Sequence, residues 1–231
     1  MQVKEAIILA GGLGTRLRDA VPDLPKCMAP VNGVPFISYV IDHLQQQGIT
    51  HFIFSLGYRS EAFLTYLEGK LPFENYEVAI EKDPLGTGGA IQFAATYART
   101  EDVVVVNGDS LFKADLTQQA DLHFAVGSYC TLALKPMKDF DRYGAVELNT
   151  DRTIASFKEK QFYSEGLING GVYLLNIPAF FGLFLPEKFS FETDYLQQYY
   201  MHNRIFGVVN DGYFIDIGIP EDYQRAQTEL I

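Results

Sequence analysis

The first half of the chain alternates short apolar runs with amphipathic segments, and this alternation limits the fold more than any other feature. Phe36–Gln46 has apolar residues at helical spacing, and Gly48 ends the pattern. Val103–Val106 is apolar throughout, as expected of a strand buried on both faces of a sheet. The predicted strands are Glu5–Ala10, His51–Leu56, Tyr76–Ile80 and Asp102–Val106, and the helices Phe36–Gln46, Glu61–Leu67 and Gly89–Ala98. This order predicts a parallel sheet with helices on both faces.

The pattern changes after Asp115, where short strands follow one another with turns between them. The strands predicted there are Thr131–Lys135, Gly144–Leu148, Ile154–Lys158, Val172–Leu175, Ile205–Val209 and Tyr213–Asp216, with a helix near Phe191–Tyr200 and a last helix from Pro220. No linker, repeat or low-complexity segment interrupts the chain. We therefore predict one α/β domain over residues 1–231, a Rossmann-like three-layer α/β/α fold with a mixed, mostly parallel central sheet.

Composition excludes several classes of partner. A net charge of −11 and a pI near 4.8 argue against broad electrostatic binding to nucleic acid or anionic lipid. A small anionic substrate is still allowed, because a few local cations and a divalent metal decide that. The two cysteines, Cys27 and Cys130, are too few for a disulfide framework, and no apolar run reaches the roughly 20 residues of a membrane span. With no signal peptide at the start, these features predict a cytoplasmic protein without a membrane or nucleic-acid partner.

A glycine-rich loop follows the first predicted strand directly. Its glycines are Gly11, Gly12 and Gly14. Glycines permit positive φ and let backbone N–H groups approach an anion closely. The dinucleotide motif G-x-G-x-x-G fails at Leu17, and the P-loop fails because no lysine follows the glycines. The cations nearby are Arg16, Arg18 and Lys26. A tight turn with a solvated arginine would explain the loop alone equally well.

The longer strings Leu9–Leu17 and Pro25–Met28 resemble the opening motif of the sugar-1-phosphate nucleotidyltransferases. That resemblance implies a nucleotidyltransferase (GT-A-like) fold in which the loop wraps a nucleoside triphosphate. It implies that Arg16 binds the outgoing phosphates and that Lys26 contacts the phosphates at the reacting centre, both as catalytic residues. The nucleotide-binding positions that it implies in this loop are Leu9, Ala10, Gly11, Gly12, Gly14 and Thr15.

Nucleotidyl transfer needs charge neutralisation more than covalent chemistry, and a phosphate nucleophile needs no general base. Asp109 follows the strand Val103–Val106 at its carboxyl end, the edge where open α/β sheets bind ligands. Asp216 stands between two isoleucines. A turn or cap would explain Asp109, and a hydrogen-bonded buried acid would explain Asp216. The resemblance implies that both bind Mg²⁺, with Asp109 also at the nucleotide; two carboxylates plus phosphate oxygens suit that ion.

Several residues of the second half correspond to the family's sugar-phosphate site. A charged triplet ends at Lys160, and such a triplet is most often a solvated edge. The resemblance implies that Glu159 binds sugar hydroxyls and that Lys160 binds the sugar phosphate as a catalytic residue, although Gln161 replaces the proline that usually follows. It also assigns Tyr143, Gly144 and Asn169 to the sugar; a strand bulge would explain the two glycines after Asn169 equally well.

The segment Glu81–Ala90 corresponds to the element with which the family holds the base, although a loop and helix start, with Thr87 as the cap, would also explain it. The positions that the resemblance implies are Glu81, Pro84, Gly86 and Thr87. A carboxylate at Glu81 accepts from both N1–H and the exocyclic amine of guanine. A pyrimidine offers one N–H flanked by carbonyls, which would leave the carboxylate facing an acceptor. Glu81 therefore favours GTP over UTP or dTTP.

Within the family, the resemblance extends over nearly the whole chain to the heptose 1-phosphate guanylyltransferases. It includes Asp139–Gly144, Gly166–Tyr173, Lys188–Glu192 and Tyr213–Tyr223. It implies transfer of GMP from GTP to D-glycero-α-D-manno-heptose 1-phosphate, giving GDP-heptose and pyrophosphate with Mg²⁺. Residues of about 1–115 would bind the nucleotide and about 116–231 the sugar phosphate. Chemistry alone does not separate heptose from mannose or glucose here.

Two other functions stay open at this point. One is a uridylyl- or thymidylyltransferase acting on a hexose or amino-sugar 1-phosphate. The other is a catalytically silent nucleotide-binding subunit, although such chains typically lose the metal aspartates or the reacting-centre lysines, which this sequence retains. Family members often form dimers or tetramers, so the resemblance leaves a homo-oligomer open, but no interface stripe stands out in the sequence.

Overall fold

The computed structural model describes residues 3–12, 24–57, 60–202 and 204–230. The strands are β1 (Glu5–Leu9), β2 (Pro30–Val31), β3 (Val34–Pro35), β4 (His51–Leu56), β5 (Tyr76–Ile80), β6 (Asp102–Asn107), β7 (Ser110–Phe112), β8 (Cys130–Phe140), β9 (Gly144–Leu148), β10 (Ile154–Lys160), β11 (Tyr163–Asn176), β12 (Ile205–Val209) and β13 (Phe214–Asp216). The helices are α1 (Phe36–Gln46), α2 (Glu61–Lys70), α3 (Gly86–Ala95), α4 (Leu116–Val126), α5 (Ile177–Phe181), α6 (Gln197–Tyr199), which continues the π-helical segment Phe191–Leu196, and α7 (Pro220–Glu229).

Nine strands of the described chain form one mixed sheet. Its order is β10-β9-β11-β6-β1-β4-β5, with β8 paired to β11 and β12 paired to β8. The neighbours β6, β1, β4 and β5 are parallel, as the alternation in the first half predicts. From β11 onward the pairs are antiparallel, except that β12 runs parallel to β8. Of the antiparallel pairs, β9 and β10 are consecutive strands joined by a turn, as the pattern of the second half predicts.

Helices cover both faces of the sheet and bury two separate cores. Along each central strand the side chains alternate, so that Ile8 and Phe54 face one core and Ile7 and Ile53 the other. Helices α1, α2, α4 and α7 contribute to the first core, and α3, α5 and the π-helical segment to the second. The predicted fold class, a three-layer α/β/α arrangement around a mixed sheet, is confirmed.

Several elements differ from their predictions, among them two helices and one long strand. Helix α3 starts three residues early, because Gly86 takes φ +73° and turns the chain into the helix at once. Helix α4 was not predicted, although Asp115 caps its first turn and Gly127, with φ +57°, ends it. Strand β11 is much longer than predicted and runs through the glycines after Asn169, with a register shift against β8 between Asn169 and Tyr173.

The sheet brings four loops to one edge. Leu9 pairs with both Ser55 and Asn107, so the carboxyl ends of β1, β4 and β6 lie side by side. Strand β5 joins them through the pairing of Ile80 with Leu56. A small ladder between β7 and β13 pairs Ser110 with Asp216, which carries that aspartate back to the same edge. The position of a ligand site follows from this register.

Among the helices of the described chain, none has both the length and the apolar character that crossing a bilayer requires.

Candidate active site

A cleft of about 680 Å³ opens at the carboxyl edge of the parallel strands. The predicted site residues that line it are Leu9, Ala10, Gly11, Gly12, Lys26, Glu81, Pro84, Gly86, Thr87, Asp109 and Asp216. Gly14, Thr15 and Arg16 lie outside the described residues. The structure thus brings together, in one cleft, residues that are as far apart in the sequence as Leu9 and Asp216.

The first glycine of the loop is required by a close approach between two backbones. A Cβ on Gly11 would lie 2.9 Å from the backbone nitrogen of Gly57, in the loop after β4. Gly12 has open space on the side where a Cβ would project. Packing therefore explains Gly11 but not Gly12, which lies on the cleft wall with its backbone exposed to whatever the cleft holds.

Lys26 lies between the two predicted metal ligands. Its Nζ is 2.7 Å from Asp109 Oδ2 and 3.3 Å from Asp216 Oδ1, and its side chain is only 13% exposed. Asp216 also accepts from the backbone N–H of Gly218 at 2.7 Å. A Cβ on Gly218 would lie 2.9 Å from Asp216 Oδ1 and 3.1 Å from Lys26 Nζ, so a larger residue there would displace the ends of these two side chains. Two carboxylates thus face one another across a single ammonium group at the cleft floor.

Tyr143 connects this centre to the second half of the chain. Its hydroxyl donates to Asp216 Oδ2 at 3.4 Å and accepts from the Arg142 guanidinium at 3.0 Å. Burial, and then the charge of Asp216, raise the pKa of the Tyr143 hydroxyl, so it remains a donor at neutral pH. Arg142 also pairs with Asp222 on α7, and Arg225 holds the other oxygen of that carboxylate at 2.7 Å. The orientation of Asp216 is therefore supported from α7 through a continuous polar network.

Cys27 lies against the same centre without a visible polar role. Burial raises the pKa of its thiol to about 12, and the charge of Asp109 adds to this. Its Sγ is 3.8 Å from the carbonyl oxygen of Ala10. A thiol that stays protonated is neither a nucleophile nor a metal ligand, so Cys27 serves as an apolar wall of the cleft.

The predicted base-binding element lies at the other end of the cleft. Glu81 accepts from the Ser55 hydroxyl at 3.3 Å and from the Leu85 backbone N–H at 2.9 Å. Thr87 does not cap α3; it is the second residue of that helix, and its hydroxyl accepts from the backbone N–H of Phe191 at 2.9 Å. The element is therefore fixed both to the sheet and to the π-helical segment.

The predicted sugar-side residues lie outside the residues that line this cleft, apart from the link through Tyr143. Lys160 and Asn169 both interact with the Glu192 carboxylate, Lys160 through its charge and Asn169 through its amide. The Asn169 amide is 3.4 Å from Glu192 Oε1 and donates to the Tyr173 hydroxyl at 2.8 Å. The surrounding protein raises the pKa of Glu192 by removing water, and the Lys160 charge opposes this. These four residues form a second polar cluster, to which Lys160 brings the positive charge.

The other two sugar-side residues show only local roles. The Glu159 side chain is exposed, and its backbone carbonyl accepts from Tyr163. Gly144 lies opposite Lys160 in the β9–β10 ladder, where a Cβ would lie 2.5 Å from the carbonyl oxygen of Lys158. Lys158 itself pairs with Glu147 on β9. In the charged triplet Lys158–Lys160, the first lysine therefore forms an ion pair at the strand edge, and the second brings its charge to Glu192.

Several residues of the site were not predicted as such. Ser55, Asn107, Lys82 and Asp83 also line the cleft, and Glu192 belongs to the sugar-side cluster. Ser55 carried a signal, because it is a lone hydroxyl near the end of the apolar run Phe52–Leu56. Asn107 also carried a signal, because it is the polar residue at the end of the apolar strand β6. Glu192 lies in the segment Lys188–Glu192 that resembles the family, but no role was predicted for it, since its partners come from β10 and β11.

Comparison with known proteins decides the family. The sequence model of the nucleotidyl transferase family matches residues 5–231. The chain belongs to the nucleotidyl transferase family. The predicted resemblance to the sugar-1-phosphate members of this family is confirmed, and with it the assignment of the chain as an enzyme of nucleotidyl transfer.

Relatives in this family match the chain over almost its full length. The D-glycero-α-D-manno-heptose 1-phosphate guanylyltransferase of Aneurinibacillus thermoaerophilus is 49% identical over 226 residues, covering 98% of each chain. The enzyme of the same name from Campylobacter jejuni is 44% identical, covering 95% of this chain and 96% of its own. The crystal structure of HddC from Yersinia pseudotuberculosis complexed with GMP-PN has a TM-score of 0.87 at 33% identity, covering 99% of this chain and 100% of that one.

Proposed function

We propose that this nucleotidyl transferase transfers GMP from GTP to D-glycero-α-D-manno-heptose 1-phosphate, giving GDP-heptose and pyrophosphate. The observation that carries the proposal is that two different polar groups line one cleft. At one end Lys26 lies between two carboxylates, and at the other Glu81 presents a carboxylate fixed by two donors. The first group suits a triphosphate with a divalent cation, and the second suits the donor edge of guanine.

The donor set fits Mg²⁺. Asp109 and Asp216 both contact Lys26 Nζ, so their oxygens already converge on one cation-sized position. No cluster of three or more acidic, histidine or cysteine ligands occurs among the described residues. Mg²⁺ is commonly held by one or two carboxylates with phosphate oxygens and water completing its shell. When bound there, the ion would neutralise charge on the triphosphate and pyrophosphate.

The chain's own residues then provide alignment and charge. The sugar phosphate oxygen attacks the α-phosphorus in line, the bond to the β-phosphate breaks, and pyrophosphate leaves. The attacking phosphate is already ionised, so no side chain has to remove a proton. Lys26, released from part of its ion pair, neutralises the developing charge, and Arg16 is proposed for the outgoing phosphates. Tyr143 keeps Asp216 oriented through its hydroxyl.

The nucleotide and the sugar rest on different arguments. GTP is supported by the Glu81 carboxylate in this chain, by the names of the two guanylyltransferase relatives and by the HddC complex with GMP-PN. The heptose is supported by the relatives' names, since the two are 49% and 44% identical over nearly full length. We place the sugar phosphate toward Lys160, Asn169 and Glu192, with Glu159, Tyr143 and Gly144 as the remaining proposed contacts.

The remaining features of the proposal follow the sequence expectations. Residues of about 1–115 bind the nucleotide and about 116–231 the sugar phosphate, within one catalytic domain. The enzyme works in the cytoplasm, where nucleoside triphosphates and Mg²⁺ are abundant, and its product supplies surface polysaccharide synthesis. A homo-oligomer is compatible with this function but not needed by it, because one chain supplies both polar clusters.

The test is pyrophosphate release across GTP, ATP, UTP and dTTP, each with heptose, mannose and glucose 1-phosphate, with and without Mg²⁺. We expect the highest kcat/KM for GTP with heptose 1-phosphate, and release only with Mg²⁺. A clear preference for UTP or dTTP would refute the assignment of Glu81 to guanine. A preference for a hexose 1-phosphate with GTP would leave the nucleotide assignment intact and refute the heptose.

A further inference from the structure

Ser55 is a buried hydroxyl on the floor of the cleft. It lies in β4, whose residues are all buried, and is itself only 1% exposed. Its Oγ is 3.3 Å from Glu81 Oε1. A buried hydroxyl without a partner would cost stability, so this hydrogen bond stabilises the positions of both the Ser55 hydroxyl and the Glu81 carboxylate. No role in the proposed reaction is yet attached to Ser55.

Glu81 is held at its other oxygen as well. The backbone N–H of Leu85, the residue before α3, donates to Glu81 Oε2 at 2.9 Å. The backbone N–H of Glu81 donates to the carbonyl oxygen of Leu56 at 2.9 Å. The main chain of Glu81 is therefore tied to β4, and each carboxylate oxygen accepts from one donor within the part of the chain that the structure describes. Each oxygen also keeps a lone pair for a ligand in the cleft.

We propose that Ser55 is a positioning residue for nucleotide selection, which holds the Glu81 carboxylate in the plane that reads guanine. The inference rests on the proposed function. To accept from N1–H and the exocyclic amine together, the carboxylate must lie in the plane of the base, and a free glutamate side chain rotates about three bonds. Ser55 and Leu85 fix that rotation before the nucleotide arrives, which reduces the entropy lost on binding.

The hydroxyl acts through Glu81 and not on the base directly. A serine hydroxyl has one proton to donate, and the Glu81 oxygen at 3.3 Å is a carboxylate that accepts it. The reacting centre at Lys26 lies at the other end of the cleft. Loss of the hydroxyl should therefore weaken binding of the guanine edge, raising KM, while the rate of the chemical step stays near its original value.

The test uses the ratio of kcat/KM for GTP to that for ITP, because hypoxanthine keeps N1–H and lacks the exocyclic amine. Ser55→Ala should lower this ratio by about tenfold, mainly through a higher KM for GTP, with kcat for GTP within about threefold of wild type. The matched control is Ser38→Ala, which removes another buried serine hydroxyl, bonded to Tyr66 at 2.8 Å and outside the cleft. It should leave the ratio unchanged.

A double-mutant cycle separates positioning from direct contact. In a Glu81→Gln background, Ser55→Ala should produce less than a twofold further change in the ratio, because the group that it positions is already altered. An undiminished ratio in Ser55→Ala overturns the inference, and so does a full tenfold loss that persists in the Glu81→Gln background. In both cases a GTP preference in the wild-type enzyme leaves the proposed function standing. If the wild type shows no GTP preference, both fall.

Discussion

Lys26 is the residue on which the electrostatics of the cleft depend. Its ammonium neutralises one of the two charges of Asp109 and Asp216, at 2.7 and 3.3 Å. Mg²⁺ alone must compete with this ammonium, so it should bind weakly until a triphosphate brings further oxygen ligands. We therefore propose that nucleotide and metal bind together, and that Lys26 moves from carboxylate to phosphate when they do.

Replacing Lys26 by methionine should expose this competition. We expect Lys26→Met to lower kcat about 100- to 1,000-fold, because a cation at the reacting centre is lost. Mg²⁺ without nucleotide should raise the melting temperature of the variant and leave that of the wild type nearly unchanged. Lys70→Met, which removes the lysine paired with Asp42, is the control for loss of a lysine ion pair. An equal response of wild type and Lys26→Met to Mg²⁺ would contradict the competition.

From the buried thiol of Cys27 we predict a specific dependence of the free energy of unfolding on pH. Its thiol pKa is about 12 in the folded chain against an ordinary value of 9.0, so folding favours the protonated thiol. The stabilisation that this gives is complete below pH 9 and is lost as the pH rises toward 12. Between pH 8 and 10.5 the stability difference between wild type and Cys27→Ala should narrow by about 2 kcal/mol. Chemical denaturation at the two pH values measures it; a constant difference would mean that the thiol is not shielded from water.

At the scale of elements, the base-binding end depends on how closely α3 packs on the segment before the π-helical turn. A Cβ on Gly89 would lie 2.2 Å from the carbonyl oxygen of Glu187, and one on Gly86 2.5 Å from that of Phe189. Backbone atoms cannot rotate away as side chains can. These glycines therefore allow the contact that places Thr87 against Phe191 and fixes the position of Glu81.

Gly89→Ala should accordingly destabilise the protein by about 1–3 kcal/mol and raise KM for GTP, although alanine favours helix formation. Gly69→Ala is the matched control, since Gly69 lies in α2 with open space around the added methyl group. It should be neutral or slightly stabilising. Thermal denaturation compares the two. Equal behaviour of both variants would show that the segment at Glu187 can move away from α3 without cost.

The elements also show what the sequence could and could not predict. The parallel strands and the carboxylates at their ends followed from local patterns, because burial on both faces leaves continuous apolar runs such as Val103–Val106. Helix α4 had a cap at Asp115 and a terminating Gly127, but its apolar spacing is weak, so it was missed. The contact of Glu192 with Asn169 depends on the path of the chain between β11 and the π-helical segment, which no local pattern encodes.

At the scale of the whole molecule, ligand binding should couple to stability. The cleft takes residues from β1, β4, β6, β13 and the start of α3, so a nucleotide bound there contacts most of the sheet edge. A non-hydrolysable GTP analogue with Mg²⁺, at about 100 times its dissociation constant, should add about 2.7 kcal/mol to the free energy of unfolding. EDTA should remove most of this gain. A gain that EDTA leaves intact would refute the role of the metal in nucleotide binding.

The central claim is that the reaction takes place between Asp109 and Asp216 in this cleft. The most direct measurement is the rate of GDP-heptose formation by wild type, Asp109→Asn, Asp216→Asn and Asp211→Asn, with circular dichroism on each. We expect the first two variants to fold normally and to lose at least about 100-fold in kcat. Asp211→Asn, which alters an exposed carboxylate paired with Lys135, should keep the wild-type rate. Near-normal rates in both Asp109→Asn and Asp216→Asn would contradict the account.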